Sequence, residues 1–326
     1  MKKIEKIKEL TDKKIWIAPL AGITDNSYRT ILKDCDADIL VSEMVSADGL
    51  IYNKERSLSY ARFDDYQRPF GIQLFGSDPQ IIAKATELII TEKPDFIDIN
   101  MGCPVKKVVN RKAGSYLMKD EKTACDIVCS VKNKLQNTEI LLSVKIRSGW
   151  DFQSINAISF AKKIEEAGAD ILIIHPRTRS QMFSGKSDWG IIKKIKENLT
   201  IPIIGNGDIT AVQDAFEIYE QTNCDSIMIG RGIIGKPWLI TQIKHFLLTS
   251  KYLEINYLKR LEIIKKHFSL SIKYRGEDIA IKEMRTHFSH YTKGIRGGAK
   301  VRDRINKSGS KEEIINLISE FFYEQN

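Results

Sequence analysis

Cysteine is sparse and odd in number, five in 326 residues, so there is no disulfide framework. No apolar run approaches the ~20 residues that cross a bilayer, which excludes a helical membrane span. The opening Met1-Lys2-Lys3-Ile4-Glu5-Lys6-Ile7-Lys8 carries charge with no apolar segment behind it, and so does not have the form of a secretory leader. No Gly-x-Gly-x-x-Gly fingerprint follows the first apolar run, which counts against a dinucleotide-binding open sheet. Cys125 and Cys129 stand one helical turn apart, but no second pair or near His completes a zinc set. Cys35, Cys125, Cys129 and Cys224 read as small buried hydrophobes. These absences predict a reduced, soluble, cytoplasmic protein with neither metal nor membrane partner; a monomer is expected, although no motif reports the oligomeric state.

The apolar content is 42%, enough for a sizeable core and against disorder as the main state. Charge is placed unevenly. Residues 244–326 hold 17 basic and 10 acidic side chains, whereas residues 1–243 hold 34 and 32. Within the tail, residues 285–307 carry seven cations against one acid, Asp303. A near-neutral body with a basic appendage points to a polyanionic partner, a solvated helical face being the alternative.

Short β-branched runs recur at 15–20, 39–43, 70–75, 96–101, 140–146, 171–175, 201–205 and 226–230. Helical periodicity separates most of them, at 79–91, 123–135, 154–167 and 188–198. Eight strands alternating with helices over about 240 residues predict a (β/α)8 TIM barrel. After Trp238 only helical spacing remains, at 239–249, 257–275, 278–293 and 311–322. Gly294, Gly297 and Gly298 interrupt it, and Ser310 with Glu313 has the form of a capping box. The expected organisation is a catalytic barrel over 1–243 and a small all-helical domain over 244–326. His287 and His290, three apart on one helix, read as facing solvent or RNA, and Trp238, Tyr252 and Tyr257 as core.

Barrel enzymes work at the C-terminal ends of their strands. Here those ends carry Gln73, Asn100, Cys103, Lys145, His175, Arg177, Asn206 and Arg231, a polar rim on otherwise apolar strands. Gly205-Asn206-Gly207-Asp208 and Gly230-Arg231-Gly232 close the last two strands, where Gly lets backbone N–H groups approach a phosphate. Phosphate there, with Gln73, Asn100 and Lys145 at the mouth, suits flavin mononucleotide (FMN). A thiol such as Cys103 is mostly protonated at neutral pH and can act as a general acid.

Ala18-Pro19-Leu20-Ala21-Gly22-Ile23-Thr24-Asp25, Gln73-Leu74-Phe75-Gly76-Ser77, Asp98-Ile99-Asn100-Met101-Gly102-Cys103-Pro104, Lys145-Ile146-Arg147-Ser148-Gly149 and Asn206-Gly207-Asp208 stand in this order. Together they resemble the tRNA-dihydrouridine synthases, closest to the bacterial B-type subgroup. Leu20, Tyr116 and Pro176 depart from the family's usual choices. The resemblance implies reduction of the uracil C5=C6 bond in tRNA by reduced FMN, recharged by NADPH or NADH. It also implies that Cys103 gives the proton to C5. Cofactor contacts would come from Pro19, Leu20, Ala21, Gln73, Lys145, His175, Asn206, Gly207, Asp208, Gly230 and Arg231. Substrate contacts would come from Asn100 and Arg177, and in the basic tail from Arg285, Lys293, Arg296, Lys300 and Arg302. Reduction of ribosomal RNA, or of a free pyrimidine, is the alternative. The basic tail speaks against a small substrate.

Overall fold

The computed structural model describes residues 2–325. Its strands are β1 (Ile15–Ile17), β2 (Leu40–Val41), β3 (Val45–Ser46), β4 (Phe70–Phe75), β5 (Phe96–Met101), β6 (Leu141–Arg147), β7 (Ile171–His175), β8 (Ile203–Asn206) and β9 (Ser226–Ile229). All pair in parallel, in the order β1-β9-β8-β7-β6-β5-β4-β2, with β3 beside the end of β4. The ends of that order meet at a parallel bridge between Trp16 and Ile39, where the Ile17 N–H donates to the Ile39 carbonyl at 2.9 Å. The result is the expected (β/α)8 barrel.

Parallel strands are covered on both faces and so read as continuous apolar runs. β7, Ile171-Leu172-Ile173-Ile174-His175, is buried throughout. At the N-terminal end of the barrel Trp16, Phe96, Leu141, Ile171, Ile173, Ile204 and Met228 form one apolar cluster. The Trp16 and Phe96 rings lie 4.9 Å apart, and the Trp16 indole N–H donates to the Leu10 carbonyl at 2.9 Å. Full burial of such a ring is worth about 1.5–3 kcal/mol. Gly71 is required by this packing, since a Cβ there would lie 2.1 Å from the Phe96 ring. Asp78 and Asp120 cap the helices Pro79–Ile90 and Glu121–Lys134 by accepting backbone N–H bonds, each worth about 1 kcal/mol.

The chain divides into two compact units. Among the described residues the first is the barrel, comprising 2–21, 38–209 and 213–230. The second comprises 22–37, 210–212 and 231–325, a division that differs from the expected boundary at 243/244. Tyr28 shows why the early segment groups with the late helices. Its hydroxyl donates to the Ile233 carbonyl, and its ring stacks 4.9 Å from His267. Helices Tyr257–Arg275 and Glu277–Tyr291 pack together in this unit's core, with Phe268 edge-on to Phe288 at 5.3 Å.

A helix over Gly298–Lys307 lies where the glycines suggested an interruption. Gly297, at φ +81°, makes the turn, and a Cβ on Gly298 would lie 2.2 Å from the Thr292 carbonyl oxygen. Ser310 caps Lys311–Tyr323 as expected, but the Glu313 carboxylate accepts from the Ser308 hydroxyl at 2.6 Å and so does not complete the box.

Candidate active site

Alternation along β4, β5 and β6 brings polar side chains together. Register pairs Gln73 with Asp98, Asp98 with Ser143, and Asn100 with Lys145. The bonds form a chain with one direction. The buried Asp98 carboxylate accepts from the Ser143 hydroxyl at 2.6 Å and from the Gln73 amide at 2.6 Å. The Gln73 carbonyl then accepts from the Asn100 amide at 2.8 Å, and the Asn100 carbonyl accepts the N–H of Gly102 at 3.1 Å and of Cys103 at 2.9 Å. A carboxylate can only accept, so it sets the sense of both amides and ends the chain on the backbone of Cys103. Burial pushes the Asp98 carboxyl up to about 6, against the opposing pull of Gln73, Ser143 and Lys145.

Cys103 is buried at the C-terminal end of β5, beside Val108 and Ala113. Its carbonyl accepts from the Ser115 N–H at 3.1 Å and from the Ser115 hydroxyl at 2.9 Å, which closes the intervening loop. Gly114, at φ +62°, makes that closure possible, since a Cβ would lie 2.8 Å from the Cys103 oxygen. Burial raises the thiol further above its ordinary range. The group is therefore a protonated acid at neutral pH.

Lys145 projects across the barrel mouth, donating to the Asn206 carbonyl on β8 at 2.9 Å, while the Asn206 amide donates to the Met228 carbonyl at 2.6 Å. Burial, with help from Arg147, brings Lys145 down to about 8. His175 ends β7, and a Cβ on Gly207 would lie 2.9 Å from its ring and 2.4 Å from the Ser187 hydroxyl. Pro19 and Leu20 are half-buried and Ala21 is exposed, just beyond β1. Gly230 has open space where a side chain would begin, with only Ala18 near, at 3.7 Å. A half-buried ammonium, buried amides and the open backbone at Gly230 form a donor set that fits a flat, hydrogen-bonding, anionic cofactor. Arg231 opens the short turn Arg231–Ile233, which belongs to the second unit.

Several residues expected to meet ligands are engaged within the chain. Arg177 is 2% exposed and all five of its N–H groups have acceptors within reach: the carbonyls of Ser184 and Gly185, the Ser187 hydroxyl, Asp208 and the His175 ring. Asp208 accepts from Arg177 at 2.8 Å and from the Ser187 N–H at 2.7 Å, so this pair holds the 184–187 loop. Asn100 likewise positions Cys103. In the tail, Lys293, Arg296 and Lys300 are exposed. Arg285 is half-buried and bonds the Ser308 carbonyl, and Arg302 bonds the Thr292 carbonyl.

Other expectations are corrected. Cys125 is half-exposed and Cys129 exposed, whereas Cys35 and Cys224 are buried. His287 is 5% exposed, packed 4.5 Å from His267, and Tyr252 is 71% exposed. Among the described residues no cluster of three or more His, Cys, Asp or Glu could hold a metal, and no helix is long and apolar enough to span a membrane.

Sequence reasoning assigned no role to Asp98, Ser143 or Arg147. Arg147 is buried and donates to the Gly102 carbonyl at 2.7 Å and to the Thr178 and Met182 carbonyls at 2.8 Å. Period-two spacing marks all three: 98 with 100, and 143 with 145 and 147, share inward faces of apolar strands.

A family model described as dihydrouridine synthase matches residues 16–326. The chain is 36% identical over 310 residues to a probable tRNA-dihydrouridine synthase of Rickettsia conorii, covering 94% of this chain and 93% of that one. It is 33% identical over 310 residues to tRNA-dihydrouridine synthase B of Pseudomonas aeruginosa, covering 95% and 92%. Among solved structures, histamine dehydrogenase from Rhizobium aligns with TM-score 0.56 at 13% identity, over 81% of this chain and 51% of that one. An old yellow enzyme homologue from Zymomonas mobilis aligns with TM-score 0.52 at 14% identity, over 76% and 91%. These two likenesses are of fold.

Proposed function

We propose, because this chain belongs to the dihydrouridine synthase family, that it reduces the C5=C6 bond of uridines in tRNA to 5,6-dihydrouridine. The observation that carries the reading is the buried Cys103, its backbone held by Asn100 and Ser115 just beyond the strand that pairs with the Lys145 strand. FMN, if bound at this mouth and recharged by NADPH or NADH, would supply the hydride for C6. Cys103 gives the proton to C5, so the double bond gains one hydride and one proton, and the thiolate recovers its proton from solvent. General acids of this kind contribute typically 10²–10⁴ in rate.

Lys145, positively charged below about pH 8, stabilises negative charge where the cofactor's ring lies. His175, Asn206, Gly207 and Gly230 border the same mouth, and Arg231, next in sequence to Gly230, would add charge at the phosphate. Pro19, Leu20 and Ala21 at the end of β1 complete the ring's surroundings. Gln73 and Asp208 act on this site through the residues they hold. The helical unit, with exposed Lys293, Arg296 and Lys300, supplies phosphate contacts that fix the register of the RNA. Those contacts offset the few kcal/mol needed to unstack a uracil into a barrel mouth.

The test is dihydrouridine formation on tRNA, ribosomal RNA and free uridine, by wild type and by Cys103→Ala. Reduction of tRNA alone, lost by about 10²–10⁴ in the variant with flavin content retained, is the expected result. Wild-type turnover in Cys103→Ala assigns the proton to another group, and turnover on free uridine assigns the enzyme a small substrate.

A further inference from the structure

The loop that presents Cys103 is itself strongly basic. From Ile99 to Lys119 there is no Asp or Glu, but there are Lys106, Lys107, Arg111, Lys112 and Lys119. These are five of the 34 cations in residues 1–243; without them that region holds 29 basic and 32 acidic side chains. The near-neutral total thus conceals one concentrated positive patch on a net-negative body.

Folding separates the two faces of this loop. Val108 and Ala113 pack with Cys103 against Met44 and Phe75, and Val109 is buried as well. All five cations are exposed. No Asp or Glu among the described residues lies within ion-pair distance of Lys106, Lys107, Arg111 or Lys112. Lys119 rests over the Trp150 ring at 4.6 Å. Four cations within seven residues, with no acid in the same stretch, form a dense positive patch suited to a polyanion.

Its position says what that counter-charge is. The Ser115 bonds to the Cys103 carbonyl bring both ends of the loop together. Lys106, Lys107, Arg111 and Lys112 are each within four residues of one end, hence at most ~14 Å along the chain from that closure. A stacked strand advances roughly 3.4 Å per nucleotide, so this reach covers about four nucleotides around the reacting base. Any RNA that delivers a base to Cys103 must lay its backbone within that distance.

We infer that the loop Lys106–Lys112 is a phosphate-contacting surface for the single-stranded RNA flanking the target uridine. This rests on the RNA reading above and adds to it a second binding surface, on the barrel rather than on the helical tail. The cations act by neutralising phosphates, so they confer affinity and placement without reading sequence.

The test is the salt dependence of tRNA binding by the flavin-loaded enzyme. Wild type is compared with K106Q/K107Q/R111Q/K112Q and with the charge-conserving K106R/K107R/R111K/K112R. At ~0.7 per single-strand phosphate contact, the slope of log affinity against log salt becomes shallower by about 3 in the glutamine variant. It returns to the wild-type value in the charge-conserving one. Flavin reduction by the nicotinamide stays unchanged in both and reports an intact barrel. A wild-type slope in a glutamine variant with normal flavin reduction overturns the inference. If the fourfold variant does not fold, K106Q and R111Q singly should each lose about 0.7 of slope, and unaltered slopes overturn it equally. If wild type neither binds nor reduces tRNA, the RNA reading itself falls, and this surface with it.

Discussion

Replacing Asp98 by Asn isolates one ionisation beneath the active site. The carboxyl is buried and pushed up to about 6 in the folded chain, against roughly 3.9 when unfolded. A raised carboxyl contributes stability that is fully present below about pH 4 and is lost as pH rises through 6. The difference of about two pH units corresponds to ~3 kcal/mol, at 1.36 kcal/mol per unit. Asn does not ionise. The stability difference between Asp98→Asn and wild type should therefore move by about 3 kcal/mol in the variant's favour between pH 4 and pH 7.5. Urea unfolding of both proteins at matched flavin content, in steps of pH across that range, measures it. Other shifted groups, such as Glu165, are common to both chains and cancel in the difference. A difference that stays constant with pH would refute the burial argument. The same logic explains why a costly carboxylate is present at all. Asn could donate as well as accept, and so would no longer impose one orientation on Gln73 and Asn100. Reversing those amides would leave the Gly102 and Cys103 N–H groups unpaired, at about 1–3 kcal/mol each.

Lys145→Met should lower turnover near pH 7 and remove the decline in wild-type rate expected as pH rises through about 8, which a pH–rate profile would show. Its stability should also lack the wild-type rise between pH 8 and 10, because a depressed lysine makes folding more favourable as the unfolded chain holds the extra proton. Gly207→Ala, at φ +126° and 2.4 Å from the Ser187 hydroxyl, should cost about 1–3 kcal/mol in thermal unfolding, whereas Gly230→Ala, with only Ala18 near, should not. In the helical tail, Ala at Arg296, Lys300 and Arg304 should flatten the salt dependence of tRNA binding by about 2–3. Arg302 is not included because it is bonded to the Thr292 carbonyl. An unaltered slope would leave the tail as a solvated face.

The sequence by itself determined the barrel, because parallel strands covered on both faces read as largely apolar runs, and each run here ends in a turn. β4 and β5, at 70–75 and 96–101, begin and end where their apolar runs do. It also showed Cys103 and Lys145, since a thiol in a Gly-Cys-Pro turn and an ammonium in an apolar strand are visible without coordinates. What only tertiary structure decided is how the remaining polar groups are spent. Arg177 and Asp208 are rim residues in sequence, yet they face each other and close a loop. His287 has the spacing of an exposed helical residue, but the face it occupies packs against His267 and Tyr28. The segment Gly22–Ala37 falls within the span 1–243 expected to form the barrel, yet it groups with the C-terminal helices. In each case the deciding partner lies far along the chain, and local propensity and period carry no information about a hydrogen bond or a packed ring formed at long range.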